Sequence, residues 1–249
     1  MNYNNEPTDN SFHAIVLAAG KGRRMGIDMP KVLLPICGRP MIEYVLEALA
    51  GVPRIVIVIS RDGGTIRETL GDAYAYAVQE EQLGSGDAVR SAREAAKGSE
   101  HVVVMCGDSP LFRSETVRAL MDRHVAEDAT ITLTSAFPDD PHGYGRILRN
   151  ADGSVCGIAE EKMATEEQKA VREVNGGCYA FNSEWLWDNI ELMTKNEAGE
   201  YCLTEMVDIA IRQGKRVVTV SASPDEIKGA NTPAQLAEAE ALVAGRRPL

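Results

Sequence analysis

Positive charge is scarce in this sequence, and long apolar runs are missing from it. Its 249 residues carry 26 lysines and arginines against 37 aspartates and glutamates, which gives a formal net charge of −11. A chain with this acidic balance lacks the diffuse positive field that nucleic-acid binding needs, and no nucleic acid is expected as a partner. Any polyanion must therefore be bound by a few local positive groups. The longest aliphatic run, residues 55–59, is far too short to cross a membrane.

Patterned cysteine is also missing. The cysteines are scattered and form no C-x-x-C pair, which argues against a disulfide framework or a zinc site and predicts free thiols in a reducing cytoplasm. They are Cys37, Cys106, Cys156, Cys178 and Cys202. Residues 1–11 are polar and acidic and lack the apolar core of a signal peptide, so we expect a disordered tail and a cytoplasmic protein with no membrane partner.

Hydrophobic periodicity alternates between strand and helix through the first half. Residues 14–18 form a continuous apolar run of the kind that is buried on both faces of a sheet, and β-branched runs follow at 54–60 and 101–106. Helical patterns occupy 41–50, 65–70, 87–97 and 114–126. This alternation predicts βαβ units and a mainly parallel sheet with helices on both faces.

The second half has a less regular pattern. Two short apolar runs, 147–149 and 155–159, flank Asp152-Gly153, which indicates an antiparallel hairpin. Residues 174–181 are expected to rejoin the sheet, followed by helices at 184–193 and 203–212, a strand at 216–220 and a helix at 233–243. Since no repeat or linker interrupts the sequence, we predict one domain over 12–249, an α/β fold with a three-layer α/β/α arrangement around a Rossmann-like, mostly parallel (mixed) central sheet.

A glycine-rich, basic loop follows the first predicted strand. Residues 20–26 contain three glycines, one lysine and two arginines, a composition that suits phosphate because glycines let backbone amides approach and cations neutralise the ligand. The spacing G-x-G-x-x-x-G is one residue too long for a dinucleotide fingerprint, and no Lys-Ser/Thr pair follows as in a Walker A loop. Taken alone, the loop fits a tight basic turn equally well.

Two further motifs make this region more specific. The segment LAAGKGRRM at 17–25 is followed by Pro30-Lys31 and by GRPM at 38–41. Together they resemble the sugar-phosphate nucleotidyltransferase family, whose pattern runs L-A-A-G-x-G-T-R-M, P-K and G-x-P-M, and most closely its bacterial N-acetylglucosamine-1-phosphate uridyltransferases. The resemblance implies a nucleotidyltransferase (GT-A-like) fold in which Arg24 and Lys31 are catalytic. The nucleotide-binding residues that it implies here are Leu17, Ala18, Ala19, Gly20, Lys21 and Gly22.

The stretch QEEQLGSGDA at 79–88 continues the resemblance, to the family's Q-x-x-Q-L-G-T-G-H-A. It implies that Gln79 and Gly84 bind the edge of a uracil, with Ser85 standing in for a threonine of the nucleotide site. An amide suits a base because it offers both a donor and an acceptor. A polar loop in which Ser85 caps the following helix is the alternative, and the two roles are compatible.

Two separated residues match the family's magnesium ligands. Asp108 lies in CGDSP directly after a predicted buried strand, at the sheet edge where open α/β folds bind ligands, and Asn231 lies in KGANT. Magnesium takes one or two protein oxygens and completes its shell with phosphate and water. The resemblance therefore implies a Mg²⁺ cofactor held by both residues. Singly, Asp108 fits a helix-capping turn and Asn231 fits an N-cap.

Four residues of the second half are implied to bind an acetamido sugar. They lie in segments similar to the family's G-Y-G-R-I, G-I-V-E-x-K, E-I-N-T-G and G-E-Y-Y-x-T patterns, and they are Gly143, Glu160, Asn175 and Thr204. A carboxylate and an amide suit sugar hydroxyl groups, and burying both without a partner is costly. Each of the four could instead be a surface residue whose hydrogen bonds are already made. For Thr204 this interpretation is as good as a role in sugar binding.

The sequence departs from the family pattern at several positions. Arg23 and Gly176 replace threonines, Asp87 a histidine, Met163 an aspartate, and Cys106 and Cys202 replace tyrosines. Several of these lie near the implied sugar site, so the acceptor is open to change. No hexapeptide repeats occur, so a left-handed β-helix acetyltransferase domain is not expected within these residues.

These patterns together favour a cytoplasmic enzyme that joins an NTP to a sugar 1-phosphate and forms an NDP-sugar and pyrophosphate. The resemblance makes UTP and N-acetylglucosamine 1-phosphate the expected substrates. A nucleotidyltransferase with another NTP or acceptor phosphate, and a non-catalytic nucleotide-sugar-binding regulatory protein, are the alternatives. The oligomeric state is left open.

Overall fold

The centre of the fold is one mixed β-sheet. The computed structural model describes residues 11–20, 22, 26 and 29–246. The strands are β1 (Phe12–Leu17), β2 (Pro35–Ile36), β3 (Arg39–Pro40), β4 (Arg54–Ser60), β5 (Ala75–Gln79), β6 (His101–Cys106), β7 (Ile131–Ala136), β8 (Arg146–Arg149), β9 (Val155–Ala159), β10 (Val174–Asn182) and β11 (Val217–Ser221). The main sheet has the order β11-β7-β10-β6-β1-β4-β5, and β2 and β3 form a small separate ribbon.

Helices cover both faces of this sheet. They are α1 (Met41–Ala48), α2 (Gly64–Leu70), α3 (Ser85–Ser91), α4 (Ser114–Ala126), α5 (Glu166–Lys169), α6 (Ser183–Asn189), α7 (Glu205–Arg212) and α8 (Pro233–Arg246), with short 3-10 turns at Lys31–Leu33, Gly71–Ala73 and Ile190–Leu192. Buried side chains of α1, α2 and α4 pack on one face, and those of α3, α6 and α7 pack on the other. The predicted three-layer arrangement is therefore confirmed.

Strand β1 occupies the middle of the parallel part. It pairs in parallel with β4 on one side and β6 on the other, so that Val16 lies opposite both Ile57 and Met105. Because successive side chains of β1 face two packed layers, Ile15 and Val16 are both fully buried. The chain leaves β1 towards β4 and returns to β6 on the opposite side, which creates the switch point where open α/β sheets bind ligands.

Strand β10 makes the sheet mixed, because it runs antiparallel between β6 and β7. The β8–β9 hairpin joins it through Val174, which lies opposite Arg146. Gly153 closes the hairpin with a φ of +84°, a conformation that glycine adopts at little cost. The predicted antiparallel excursion is confirmed.

One predicted helix is clearly shorter than its pattern suggests. The periodicity predicts a helix over 87–97, whereas α3 begins at Ser85 and ends at Ser91. Beyond it the chain continues as turns, in which Ala92 donates to Val89 at 3.0 Å and Ala96 donates to Ala92 at 2.9 Å. Both alanines stay buried, so this segment contributes packing without regular helical geometry.

Other expectations have mixed outcomes. The predicted free thiols are confirmed, since all five cysteines are free. Over the described ranges, no helix is long and apolar enough to cross a membrane. Residues 1–10 of the expected tail lie outside the described residues.

A buried ring cluster lies at the amino ends of β1 and β6. The ring of His101 lies 4.8 Å from that of Phe12 and 4.9 Å from that of His124. Nδ1 of His124 is 2.9 Å from Oγ1 of Thr132, and the residue is fully buried. Burial, reinforced by His101, lowers the pKa of His124 to about 3. This ring is therefore neutral in the folded protein at neutral pH.

We predict that His124 destabilises the protein in mild acid. A histidine of the unfolded chain titrates near pH ~6.5, so below that pH the unfolded chain binds a proton that the folded chain rejects. The free energy of unfolding should fall between pH ~6.5 and the folded pKa of about 3, by up to about 1.4 kcal/mol per pH unit. Urea unfolding across this range, on wild type and His124→Leu, measures the slope.

His142 supplies the matched control, because its side chain is 81% exposed. His142→Gln should keep the wild-type dependence of unfolding free energy on pH, whereas His124→Leu should have a shallower one. Equal slopes for wild type and His124→Leu would contradict the assignment.

Candidate active site

A cleft of about 550 Å³ opens at the carboxyl ends of β1, β5 and β6. This is the switch point at which the topology predicts a ligand. The expected site residues that line the cleft are Leu17, Ala19, Gly20, Gly22, Lys31, Gln79, Gly84, Ser85, Asp108 and Asn231. The fold therefore brings most of the nucleotide candidates, both metal candidates and the catalytic candidate Lys31 into one cavity.

The glycine-rich loop forms part of the cleft wall. Ala18 is buried beside it and donates its N–H to the carbonyl of Val58 at 2.8 Å, so it supports the loop from behind. Gly22 has a φ of +56°, and a Cβ at this position would lie 2.8 Å from Cβ of Lys31. Glycine is therefore required for this close approach. The expected site residues Lys21 and Arg24 lie outside the described residues.

The ammonium group of Lys31 is the centre of the polar network. It donates to Oδ1 of Asn231 at 2.9 Å, and it forms a hydrogen-bonded ion pair with Oδ2 of Asp108. The side chains of Lys31 and Asp108 are 11% and 23% exposed, so this pair is screened less than a surface pair. One cation thus joins the segment after β1, the turn after β6 and the residue before α8.

The capping alternative for Asn231 is wrong. Oγ1 of Thr232 accepts the N–H of Gln235 at 3.3 Å, so Thr232 caps α8 and the side-chain oxygen of Asn231 bonds to Lys31 instead. Gly229 makes room for this arrangement, because a Cβ there would lie 2.8 Å from Nδ2 of Asn231.

The oxygens of Asp108 and Asn231 suit a hard divalent cation. They converge on one position that holds an ammonium group, and Mg²⁺ accepts one or two protein oxygens beside phosphate and water. The described part of the chain contains no group of three or more His, Cys, Asp or Glu residues able to hold a metal ion. A Mg²⁺ ion held by these two oxygens would need phosphate and water to complete its shell.

Gln79 and its neighbours form the wall expected to meet the base. Gln79 is 3% exposed, and its Nε2 donates to the carbonyl of Gly84 at 3.0 Å and to Oδ2 of Asp87 at 2.8 Å. Ser85 is the first residue of α3, and its Oγ accepts the N–H of Leu203 at 3.0 Å. The alternative in which Ser85 caps α3 is therefore wrong, since Gly84 is the N-cap residue and the hydroxyl group of Ser85 ties the loop to the second half of the chain.

Residues 83–86 and 201–203 are interlocked through their backbones. Tyr201 donates its N–H to the carbonyl of Leu83 at 2.7 Å and accepts the N–H of Gly86 at 2.8 Å. Gly84 has a φ of +102°, and a Cβ there would lie 2.5 Å from the carbonyl oxygen of Tyr201, so the contact requires glycine. The base loop is therefore fixed to the segment that carries Thr204.

None of the four residues expected to bind the sugar is among those that line the cleft. Glu160, Asn175 and Thr204 form a second group, which lies beside the cleft because Leu203, next to Thr204, bonds to Ser85. Oγ1 of Thr204 donates to Oε1 of Glu160 at 2.7 Å, so the surface alternative for Thr204 is wrong. Gly145 lies against this group, since a Cβ there would be 3.7 Å from Oε2 of Glu160 and 3.7 Å from Cβ of Asn175. Gly143 lies two residues earlier in the same loop, with a φ of +87°.

Tyr179 is a buried partner of Asn175 that the motifs do not reveal. Its hydroxyl group accepts a hydrogen bond from Nδ2 of Asn175, and only 5% of the residue is exposed. Burial raises the pKa of Tyr179; the Asn175 bond opposes the shift, whereas Glu160 and Cys106 reinforce it. A tyrosine within an apolar strand is typical of core packing, so its sequence carries no signal of this role.

Two cleft residues were also outside the expected set. Nε2 of Gln82 donates to the carbonyl of Ala19, which ties the base loop to the glycine-rich loop. Gln82 is the second glutamine of the Q-x-x-Q motif, so the motif did contain its signal. Glu200 also lines the cleft and makes its part of the wall negative, which favours placing phosphates near Lys31.

Packing explains one departure from the family pattern. A Cβ on Gly176 would collide with Oγ1 of Thr134 and lie 3.0 Å from Cγ2 of Ile227, so a threonine does not fit there. Met163 has a 64% exposed side chain. Gly176 therefore lies at a packed interior contact, and Met163 lies at the surface.

Of the two cysteines that replace tyrosines, one lies at the cleft. Cys106 lines the cleft, and Sγ of Cys202 accepts a hydrogen bond from Nδ2 of Asn196 at 3.3 Å. Burial raises the pKa of Cys106 to about 12, and burial also raises the pKa of Cys202. Both thiols therefore stay protonated at neutral pH and are weak nucleophiles.

Comparison with known proteins finds a family that covers most of the chain. Residues 14–171 match the MobA-like NTP transferase domain. The chain is 46% identical over 238 residues to the bifunctional protein GlmU of Heliobacterium modesticaldum, and 45% identical over 233 residues to that of Geobacter metallireducens. These alignments cover 94% and 91% of this chain but 52% and 49% of the relatives. The chain thus spans about half the length of the curated relatives it matches.

A solved structure has a similar fold. It is that of a Bacillus anthracis protein described as a glucose-1-phosphate thymidylyltransferase, in complex with sucrose. The TM-score is 0.80, and the alignment covers 96% of this chain and 97% of the other at 22% identity. At this identity the likeness shows a shared fold alone.

We predict that Lys31 competes with a divalent cation in the free protein. Its ammonium group occupies the position on which Asp108 and Asn231 converge, so Lys31→Ala should bind Mn²⁺, used as a reporter for Mg²⁺, more tightly by about threefold or more. Asp108→Asn should bind it more weakly, because a carboxylate ligand is lost. Electron paramagnetic resonance of free Mn²⁺ measures both, without nucleotide.

A matched control is Lys97→Ala, which removes a lysine whose side chain is 60% exposed. It changes the net charge equally and should leave Mn²⁺ affinity at the wild-type value. Weaker binding by Lys31→Ala than by this control would overturn the competition.

Proposed function

Because this chain belongs to the family of MobA-like NTP transferase domains, we propose that it transfers a uridylyl group from UTP to a sugar 1-phosphate. The products are a UDP-sugar and pyrophosphate, and the acceptor that the site supports best is N-acetylglucosamine 1-phosphate. The observation that carries the proposal is the meeting of Lys31, Asp108 and Asn231 in a cleft walled by the glycine-rich loop.

Electrostatics decides what this site can do. Both substrates are anions and repel each other, so the protein must neutralise and align them rather than supply a nucleophile. Lys31, Gly20 and Gly22 line the cleft, and the ammonium group with the two backbone amides would stabilise negative charge at the α-phosphate and on the departing pyrophosphate. We expect the loop cations Lys21 and Arg24, which lie outside the described residues, to add to this effect. Mg²⁺ held by Asp108 and Asn231 would neutralise further phosphate charge.

The reaction proposed is one in-line displacement. An oxygen of the sugar phosphate forms a bond to the α-phosphorus of UTP, and the bond from that phosphorus to the bridging oxygen breaks. Pyrophosphate leaves with the electron pair. No protein nucleophile is required, which agrees with the protonated thiol of Cys106 at the cleft wall.

The second group of residues supports a sugar acceptor. Glu160, Asn175 and Thr204 offer a carboxylate, an amide and a hydroxyl group next to the cleft, a set that suits sugar hydroxyl and acetamido groups. Thr204 bonds to Glu160, and Asn175 bonds to Tyr179 and to the N–H of Gly177, so these groups have partners before a sugar arrives. The names of the GlmU relatives agree with this choice, whereas the thymidylyltransferase description of the structural neighbour makes TTP the nucleotide to test against UTP.

A substrate panel tests the proposal directly. Purified protein with Mg²⁺ is given UTP, TTP, CTP or another NTP, each with N-acetylglucosamine 1-phosphate, glucose 1-phosphate or an alcohol phosphate, and pyrophosphate release is measured. UTP with N-acetylglucosamine 1-phosphate should be the preferred pair. Preference for another pair would transfer the proposal to that substrate, and no release from any pair would favour a binding protein.

We predict that Lys31→Ala and Asp108→Asn each lower kcat by about 10²–10³, the usual cost of one electrostatic group in a preorganised site. Both proteins should remain folded, as a cooperative thermal unfolding transition would show. Lys97→Ala again serves as the control and should retain kcat. Near-normal turnover by either site variant would contradict the mechanism.

We predict that Glu160→Gln and Thr204→Val act on the acceptor alone. Thr204→Val removes the donor of the 2.7 Å bond, and Glu160→Gln removes the charge of its acceptor, so KM for the sugar phosphate should rise about tenfold while KM for the NTP stays unchanged. Glu167→Gln, an exposed carboxylate on α5, is the control for lost charge. A rise in KM for the NTP instead would place these residues in the nucleotide site.

A further inference from the structure

We propose that Asp87 is a positioning residue that selects the nucleotide base, by holding the amide of Gln79 so that only its oxygen is available to the cleft. The inference rests on the proposed function, since it takes Gln79 as the residue that meets the base. Asp87 occupies a position where the family pattern has histidine, so the device belongs to this chain rather than to that pattern.

The hydrogen bonds of Gln79 define what it can offer a ligand. An amide nitrogen has two hydrogens to donate and accepts none. In Gln79 both are used, one by the carbonyl of Gly84 at 3.0 Å and one by Oδ2 of Asp87 at 2.8 Å. The remaining polar capacity of the side chain is the pair of acceptor sites on Oε1. Gln79 lines the cleft, so it presents an acceptor and no donor.

Asp87 makes this orientation the stable one. A carboxylate and a backbone carbonyl can only accept, so turning the amide over would place Oε1 against two acceptor oxygens in a buried position. Both hydrogen bonds would be lost, and the opposed oxygens would be left buried without donors, which is unfavourable. A histidine can donate or accept. At this position it would not dictate which way the amide of Gln79 points.

Arg90 holds Asp87 in turn. Nη2 of Arg90 is 2.5 Å from Oδ1 of Asp87, and the side chain of Asp87 is only 12% exposed. The guanidinium group of Arg90 lies over the ring of Tyr201, 4.6 Å from its centroid. Each oxygen of Asp87 therefore has its own donor, one from Arg90 and the other from Gln79.

An acceptor at this point separates pyrimidines that have the same size. Uracil and thymine carry a hydrogen on N3, which can donate to Oε1 of Gln79. Cytosine has a lone pair on N3, which would oppose that oxygen. Because the site rejects cytosine by leaving acceptors unpaired rather than by shape, the discrimination can be large. The expected ligand is thus a keto pyrimidine nucleotide.

Asp87→Asn is the sharpest test, because Arg90 orients the new amide. The guanidinium group requires an oxygen, so Nδ2 of the asparagine is turned towards Gln79. That nitrogen demands an acceptor, which favours the opposite orientation of the Gln79 amide and presents its NH₂ group to the cleft. The preference for UTP over CTP should then collapse.

The measurement is equilibrium binding of UTP and of CTP to the full chain with Mg²⁺ and no acceptor, by titration calorimetry. Wild type should bind UTP more tightly than CTP by about tenfold or more, and Asp87→Asn should reduce that ratio by about tenfold. In turnover, the variant should raise KM for UTP more than it lowers kcat, which a merely structural defect would not do.

Arg90→Gln is the matched control. It removes the ion pair but leaves both carboxylate oxygens to accept from Gln79, so the ratio of UTP to CTP affinity should stay within about twofold of wild type. A ratio as relaxed as that of Asp87→Asn would overturn the proposal, because the effect would then come from the ion pair.

A folded Asp87→Asn protein with the wild-type ratio, or a wild type without preference, would also overturn it. If Asp87→Asn does not fold, Asp87→Ser removes the fixed acceptor with a smaller side chain and should lower the ratio by about threefold. Binding needs no turnover, so a wild type that prefers UTP yet converts no sugar phosphate would defeat the proposed function and leave the role of Asp87 standing.

Discussion

One ammonium group connects the parts of this site. The protein carries a net charge of −11 and yet must hold two phosphorylated substrates if it acts as proposed. It brings a carboxylate, Asp108, into the same cleft, where the charge of Lys31 compensates it. We expect Lys31 to become available to a phosphate once another cation has taken its place beside Asp108 and Asn231. Cation binding and phosphate neutralisation would then be coupled by an exchange of partners.

The second constraint is the close approach of two loops, residues 83–86 and 201–203. Tyr201 bonds through its backbone to Leu83 and Gly86, and the oxygen of Ser85 accepts the N–H of Leu203. These contacts need glycine at 84, where a Cβ would touch the carbonyl of Tyr201. The result is a continuous wall from the base loop to Thr204, so that the spacing between the two binding regions is set by backbone hydrogen bonds rather than by flexible side chains.

Sequence-based prediction succeeded for buried strands and failed for contacts that depend on tertiary structure. Strands at 54–60 and 101–106 were placed correctly because buried β-branched runs have few alternatives. The helix over 87–97 was overextended, since alanines favour helix wherever tertiary packing does not override them. Asp108 and Asn231 were identified as candidates through motifs. Their bonds to Lys31 could not be predicted, because Lys31 and Asn231, for example, lie 200 positions apart in the sequence. Tyr179 was missed, as a strand tyrosine is typical of core.

The pairing of Asp87 with Gln79 shows why a buried charge can be worth its desolvation cost in such a site. Uracil and cytosine have nearly the same shape, so apolar packing cannot tell them apart by more than a little. They differ in which ring positions donate and which accept, and an amide that is free to turn over matches both. Asp87 removes that freedom, and Arg90 stabilises its charge. Burying a neutral residue with donor and acceptor groups would cost less desolvation free energy, but such a residue would not fix the orientation of the Gln79 amide. The charge is therefore better explained by selectivity than by stability.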